Sequence, residues 1–106
     1  MKLYTANIEK GMPTVAQARI RLDQALRTAR SQRYTVLKII HGYGSSGKGG
    51  AIKKDVHIVL QEQKKQGRVR YFVSGENFSP FDAETRSILD TYPVLRKDKD
   101  YSRGNA

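Results

Sequence analysis

Five of the ten residues in His41-Gly42-Tyr43-Gly44-Ser45-Ser46-Gly47-Lys48-Gly49-Gly50 are glycine, and this stretch constrains the chain more than any other. Directly before it stands an apolar run, Val36-Leu37-Lys38-Ile39-Ile40, and directly after it a pattern of helical period begins. Glycine lets a backbone take up φ > 0 and lie close to a ligand. The amides of such a loop, together with those of the following helix N-terminus, suit an anion such as phosphate. His41 adds a proton donor or acceptor at one end of the loop, and Lys48 adds a fixed positive charge at the other.

The rest of the chain arranges itself around this loop. Residues 2–8 are short and β-leaning and read as a strand, and Gly11 with Pro13 marks a turn. Thr14 followed by Gln17 is a capping box, so a helix starts there. Val15, Ala18, Leu22, Ala25, Leu26 and Ala29 recur at helical spacing as one apolar stripe, which leaves Arg19, Arg21, Arg27 and Arg30 facing outwards. A second strand spans Tyr34 to Ile40, with Thr35, Leu37 and Ile39 towards the helices and Val36 and Lys38 on the other face. The second helix runs from Gly50 to Gln66 with Ile52, Val56, Val59 and Leu60 inward, and Gly67 as its C′ residue. Its outer side carries Lys53, Lys54, Lys64 and Lys65; Ile58 also falls there, and His57 reads as a solvated flank residue.

Val69, Tyr71 and Val73 alternate with Arg70 and Phe72, which predicts a third strand. Ser79-Pro80-Phe81-Asp82 reads as an N-cap, an N1 proline and an acidic first turn. The helix that follows would bury Phe81, Thr85, Ile88 and Leu89 and end at Pro93. Residues 94–106 are polar and lack apolar periodicity, so a mobile tail is expected after a domain of residues 1–93. Strand-helix-strand-helix-strand order gives an α/β domain, a two-layer sandwich with a small sheet and helices mainly on one face.

Charge narrows the ligand. Twenty Lys+Arg oppose ten Asp+Glu, a net charge of +10 with a pI near 10.1, which favours a polyanionic partner. There is no cysteine, and two histidines alone do not make a structural zinc site, so no metal or cofactor is called for. Nothing resembles a signal peptide or a spanning helix, and the chain reads as cytoplasmic, with no membrane partner. Gly42-x-x-x-x-Gly47-Lys48 comes close to the phosphate-binding loop of nucleoside triphosphatases. The Ser or Thr that would hold magnesium is replaced by Gly49, however, and no second strand ends in the required aspartate. A nucleotide hydrolase is disfavoured.

Lys38-Ile39-Ile40-His41-Gly42-Tyr43-Gly44, followed after a small-residue loop by Gly50-Ala51-Ile52-Lys53-Lys54, resembles the signature of the Smr (small MutS-related) domain. In that family an apolar strand ends in a His-Gly-x-Gly turn, and a short loop leads into a helix opening with small, apolar and basic residues. The resemblance covers residues 2 to 74. It implies a two-layer α/β sandwich akin to the C-terminal domain of translation initiation factor three, and binding to nucleic acid. Several members are DNA-nicking or RNA-cleaving endonucleases. Active members carry an Asp-Leu-His-Gly turn after the first strand, whereas the corresponding turn here is Ile8-Glu9-Lys10-Gly11, with Lys10 in the place of histidine. The family also closes with a further strand, where this chain turns polar.

Metal-independent phosphodiester cleavage needs a base, an acid and stabilisation of charge on phosphorus. His41 supplies one proton-transfer role, and Glu9 or Asn7 is the substitute for the second. Phosphate contacts fall to Gly42, Gly44, Gly47, Lys48, Gly49, Gly50, Lys53, Lys54 and Lys10, while Tyr43 either stacks on an unpaired base or packs back on the sheet. Three readings follow: a binding module whose cleavage chemistry is weak or lost, an active endonuclease, and a protein–protein adaptor using Ile20 and Ile58.

Overall fold

The computed structural model describes residues 3–41, 48–98 and 101, and for Lys48, Gly49 and Glu76 the backbone alone. Strand β1 (Leu3–Asn7) pairs in parallel with β2 (Val36–Ile40), placing Leu3 beside Val36 and Asn7 beside Ile40. Parallel strands need a long crossover, here supplied by helix α1 (Val15–Ser31). The capping box expected at its start is formed: Gln17 N–H donates to Thr14 Oγ1 at 3.1 Å, and Thr14 N–H donates to Gln17 Oε1 at 2.9 Å. Ala18, Leu22, Ala25 and Ala29 are buried along α1, with Val15 at the margin of the stripe.

Helix α2 (Lys48–Lys65) begins two residues before the sequence expectation. It ends on Gly67, at φ +76°, with Gly67 N–H bonded to Lys64 O at 3.1 Å and Arg68 N–H to Gln63 O at 2.9 Å. This is a Schellman motif, and it closes the helix as the C′ glycine foretold. The two long helices run parallel over one face of the sheet: Arg19 meets Asp55 at 2.7 Å near their starts, and Arg30 Nη2 donates to Gln63 Oε1 at 3.2 Å near their ends. Between them and the sheet lies a core of Ile8, Ala18, Leu22, Ile52 and Val56, with Ile39, Val59 and Leu60 against it.

Because side chains alternate along a strand, Val36 and Leu3 fall on the opposite face, where a second core gathers Phe78, Ile88, Leu89 and Leu95. Helix α3 (Ala83–Thr91) and a 3-10 turn at Pro93–Lys97 build that cover. The architecture is a small α/β sandwich, with both long helices on one face as expected and one short helix on the other.

Several expectations differ from the structure. Residues 69–74 form no ladder; among the described residues the sheet has two strands. Phe72 instead stands edge-on to His57 with ring centroids 6.2 Å apart, so His57 is half-buried rather than solvated. Helix α3 starts at Ala83 and its cap is Asp82, whose carboxylate accepts from Thr85 N–H at 2.8 Å. Ser79 caps a tight turn before the helix, accepting from Phe81 N–H at 3.3 Å, and this leaves Phe81 91% exposed instead of inward. Val94–Asp98 are not a tail: Leu95 is buried, and Asp98 takes the Lys38 ammonium at 2.9 Å beneath the sheet. Arg19, Arg27 and Arg30 are exposed as expected, Arg19 and Arg30 also reaching α2, whereas Arg21 is half-buried against the turn after β1.

Candidate functional site

Parallel pairing brings the carboxyl ends of β1 and β2 together, and in open α/β sheets ligands bind beyond those ends. The ladder runs one residue past β1, with Ile8 N–H bonded to Ile40 O at 3.0 Å. The next residues therefore stand side by side: the turn at Glu9-Lys10-Gly11-Met12 and, across from it, His41.

The turn is held from three directions. Asn7 Oδ1 accepts from Glu9 N–H at 3.0 Å, and Met12 N–H returns to Glu9 O at 3.3 Å. Gly11 sits at φ +82°, a conformation that glycine adopts without steric cost. From α1, Arg21 Nη1 donates to Lys10 O at 2.6 Å and to Ile8 O at 3.3 Å. Arg21 thus holds the turn from beneath, a role sequence reasoning missed. Its one signal is spacing, since it lies three residues after Ala18 and so flanks the buried stripe.

His41 is 6% exposed, at the end of β2. Glu9 is half-buried and borders the same cavity of about 690 Å³ as His41, whereas Lys10 is exposed at the turn. Asn7 spends its side-chain oxygen within the turn. On the other flank, Gly50 and Lys53 are half-buried and Lys54 is exposed in the first turns of α2. Gly42, Tyr43, Gly44 and Gly47 lie outside the described residues, as does the side chain of Lys48; Gly49 contributes backbone to the start of α2.

Electrostatics favours an anion at this end. The parallel helices α1 and α2 point their N-termini the same way, and each N-terminus carries about half a positive charge. Neither first turn holds an acidic residue to offset it. Asp55, the nearest acid in α2, is engaged by Arg19. Lys10, Lys53 and Lys54 add whole charges around the same end. Such an end can hold a phosphate and can present a histidine and a carboxylate to it. Among the described residues no group of three or more His, Asp or Glu is placed to hold a metal ion, and no helix is long and apolar enough to cross a membrane.

A family model described as Smr domain matches residues 10–77, from the Lys10 turn through β2 and α2 to Asn77. No curated protein and no solved structure matches the chain.

Proposed function

The chain belongs to the Smr domain family, and from that premise we propose that it binds nucleic acid, DNA or RNA, through the carboxyl end of its sheet. The contacts are mainly to phosphates, made by the glycine loop from His41 to Gly50 and by Lys10, Lys53 and Lys54. The observation that carries the reading is the convergence on one end of two uncompensated helix N-termini and three lysines, in a chain of net charge +10. A cytoplasmic setting goes with it.

Cleavage on this reading is weak or lost. The turn Ile8-Glu9-Lys10-Gly11 lacks the aspartate and histidine of the family's active turn. One observation keeps a second reading, an active metal-independent endonuclease: Glu9 and His41 border the same cavity. A carboxylate and an imidazole there would share proton transfer across a phosphodiester.

Electrophoretic mobility shifts at 50 and 200 mM salt, with a cleavage assay in the same tubes, test both readings. Four phosphate contacts would lower affinity about a hundredfold between those concentrations. An affinity indifferent to salt removes the phosphate reading, and rapid cutting by the unmodified chain selects the endonuclease.

A further inference from the structure

The cavity bordered by Glu9 and His41 holds about 690 Å³, within the roughly 300–1,000 Å³ range of small-ligand sites, and β2 lines it from Val36 to His41. Val56 and Leu60 wall it from the α2 side, and Ile88 and Leu95 from the opposite core. Two apolar walls facing each other across the thickness of a sheet accept a flat ring system.

The polar groups inside come from the backbone. Ile8 N–H donates to Ile40 O, so Ile40 turns its backbone towards β1. Alternation turns that of Leu37 and Ile39 the other way, into the cavity, and among the described residues neither has a strand partner there. Leu37 C=O and Ile39 N–H thus stand side by side, an acceptor next to a donor. A purely apolar guest would leave both unmet, which is costly. A nucleobase meets both. Its pairing edge carries a donor beside an acceptor, as the amino group beside a ring nitrogen does in adenine and cytosine. Guanine and uracil offer the same two groups in the reverse order.

The remaining wall includes Arg68, Arg70 and Tyr71, all of them exposed, so they border the opening. Guanidinium planes and phenol rings are surfaces on which unpaired bases stack.

We infer that this cavity takes an unpaired nucleobase, so that the ligand of the domain is single-stranded or locally unpaired nucleic acid. The inference rests on the phosphate reading above: a phosphate held beside His41 leaves its own nucleoside at the cavity. Leu37 and Ile39 would then engage the very edge that a complementary strand occupies in a duplex. A paired base has that edge taken and does not enter.

The test compares a single strand about ten nucleotides long, as DNA and as RNA, with its duplex and with the same strand carrying an abasic residue at every position. All are titrated at one salt concentration. The base-bearing strand should bind about tenfold or more tightly than the abasic strand, the worth of one stacked base. It should exceed the duplex likewise. Tyr71 is 39% exposed, so Tyr71→Ala should keep the unfolding midpoint. That variant should lose roughly tenfold in affinity for the base-bearing strand and nothing for the abasic one. In the unmodified chain, the amide resonances of Leu37 and Ile39 should shift when the base-bearing strand is added and stay in place with the abasic one. Equal affinity for the two strands, or Leu37 and Ile39 amides that do not respond, overturns the base site while the phosphate contacts stand. Binding by neither strand removes the phosphate reading, and the base site with it.

Discussion

Arg33 and Gly67 occupy the same position in the same motif, one after each long helix, and only one of them suits it. Arg33 sits at φ +59°, with its N–H on Arg30 O and the following Tyr34 N–H on Ala29 O at 2.8 Å. The left-handed region costs a side chain about 1–2 kcal/mol, against roughly 0.5–1 kcal/mol of lost chain entropy for glycine. Arg33→Gly should therefore stabilise the fold by about 0.5 kcal/mol in urea unfolding. Gly67→Ala should destabilise it by about 1 kcal/mol. Open space surrounds Gly67, so backbone strain is the whole of that cost. At His41 the question is chemical. If the domain cuts nucleic acid, His41→Ala should lower the cleavage rate by about 10²–10⁴-fold while most binding survives, because binding draws on many phosphates and proton transfer on one path. Equal cutting by the variant removes His41 from the chemistry.

Among the elements, α2 is where the proposed binding separates most cleanly from folding. Lys53 and Lys54 lie off the face that buries Ile52 and Val56. Replacing both with alanine should weaken binding to every nucleic acid alike and flatten the salt slope by about one to two units, while the unfolding midpoint stays put. Wild-type affinity would move the interface elsewhere. What was legible in the sequence follows the range of the forces involved. The Thr14 capping box and the Gly67 terminus involve residues within one or two turns of each other, so spacing alone reveals them. The start of α3 was misplaced because Ser79 and Asp82 are both good caps, and burial of Thr85, Ile88 and Leu89 decides between them. The segment Val69–Val73 has the alternation of a strand, but pairing depends on an edge thirty residues earlier in the chain. Lys38 and Asp98, sixty residues apart, left no local trace of their contact. At the site, His41 and the Glu9 turn were legible from the strand ends. Arg21 was not, since its partners are carbonyls, which sequence does not distinguish.

At the scale of the whole molecule, the two apolar cores lie on opposite faces of a sheet that has, among the described residues, two strands of five residues each, with the Lys64–Glu84 pair at 3.6 Å joining α2 to α3 across the divide. One core is closed by α1 and α2. The other depends on α3 and the Pro93–Lys97 turn, tied back to the sheet by Lys38 and Asp98. A boundary that thin couples its two sides weakly, so the halves can melt at different free energies. Leu95→Ala, at a cost of about 2 kcal/mol, should speed exchange of the α3 amides and leave those of α1 unchanged; parallel acceleration in both helices would show a single cooperative unit. The same division has a consequence for the life of the chain. A partly opened form, with α3 swung away and the first core intact, would leave the strand ends in place while offering its C-terminal third to a protease.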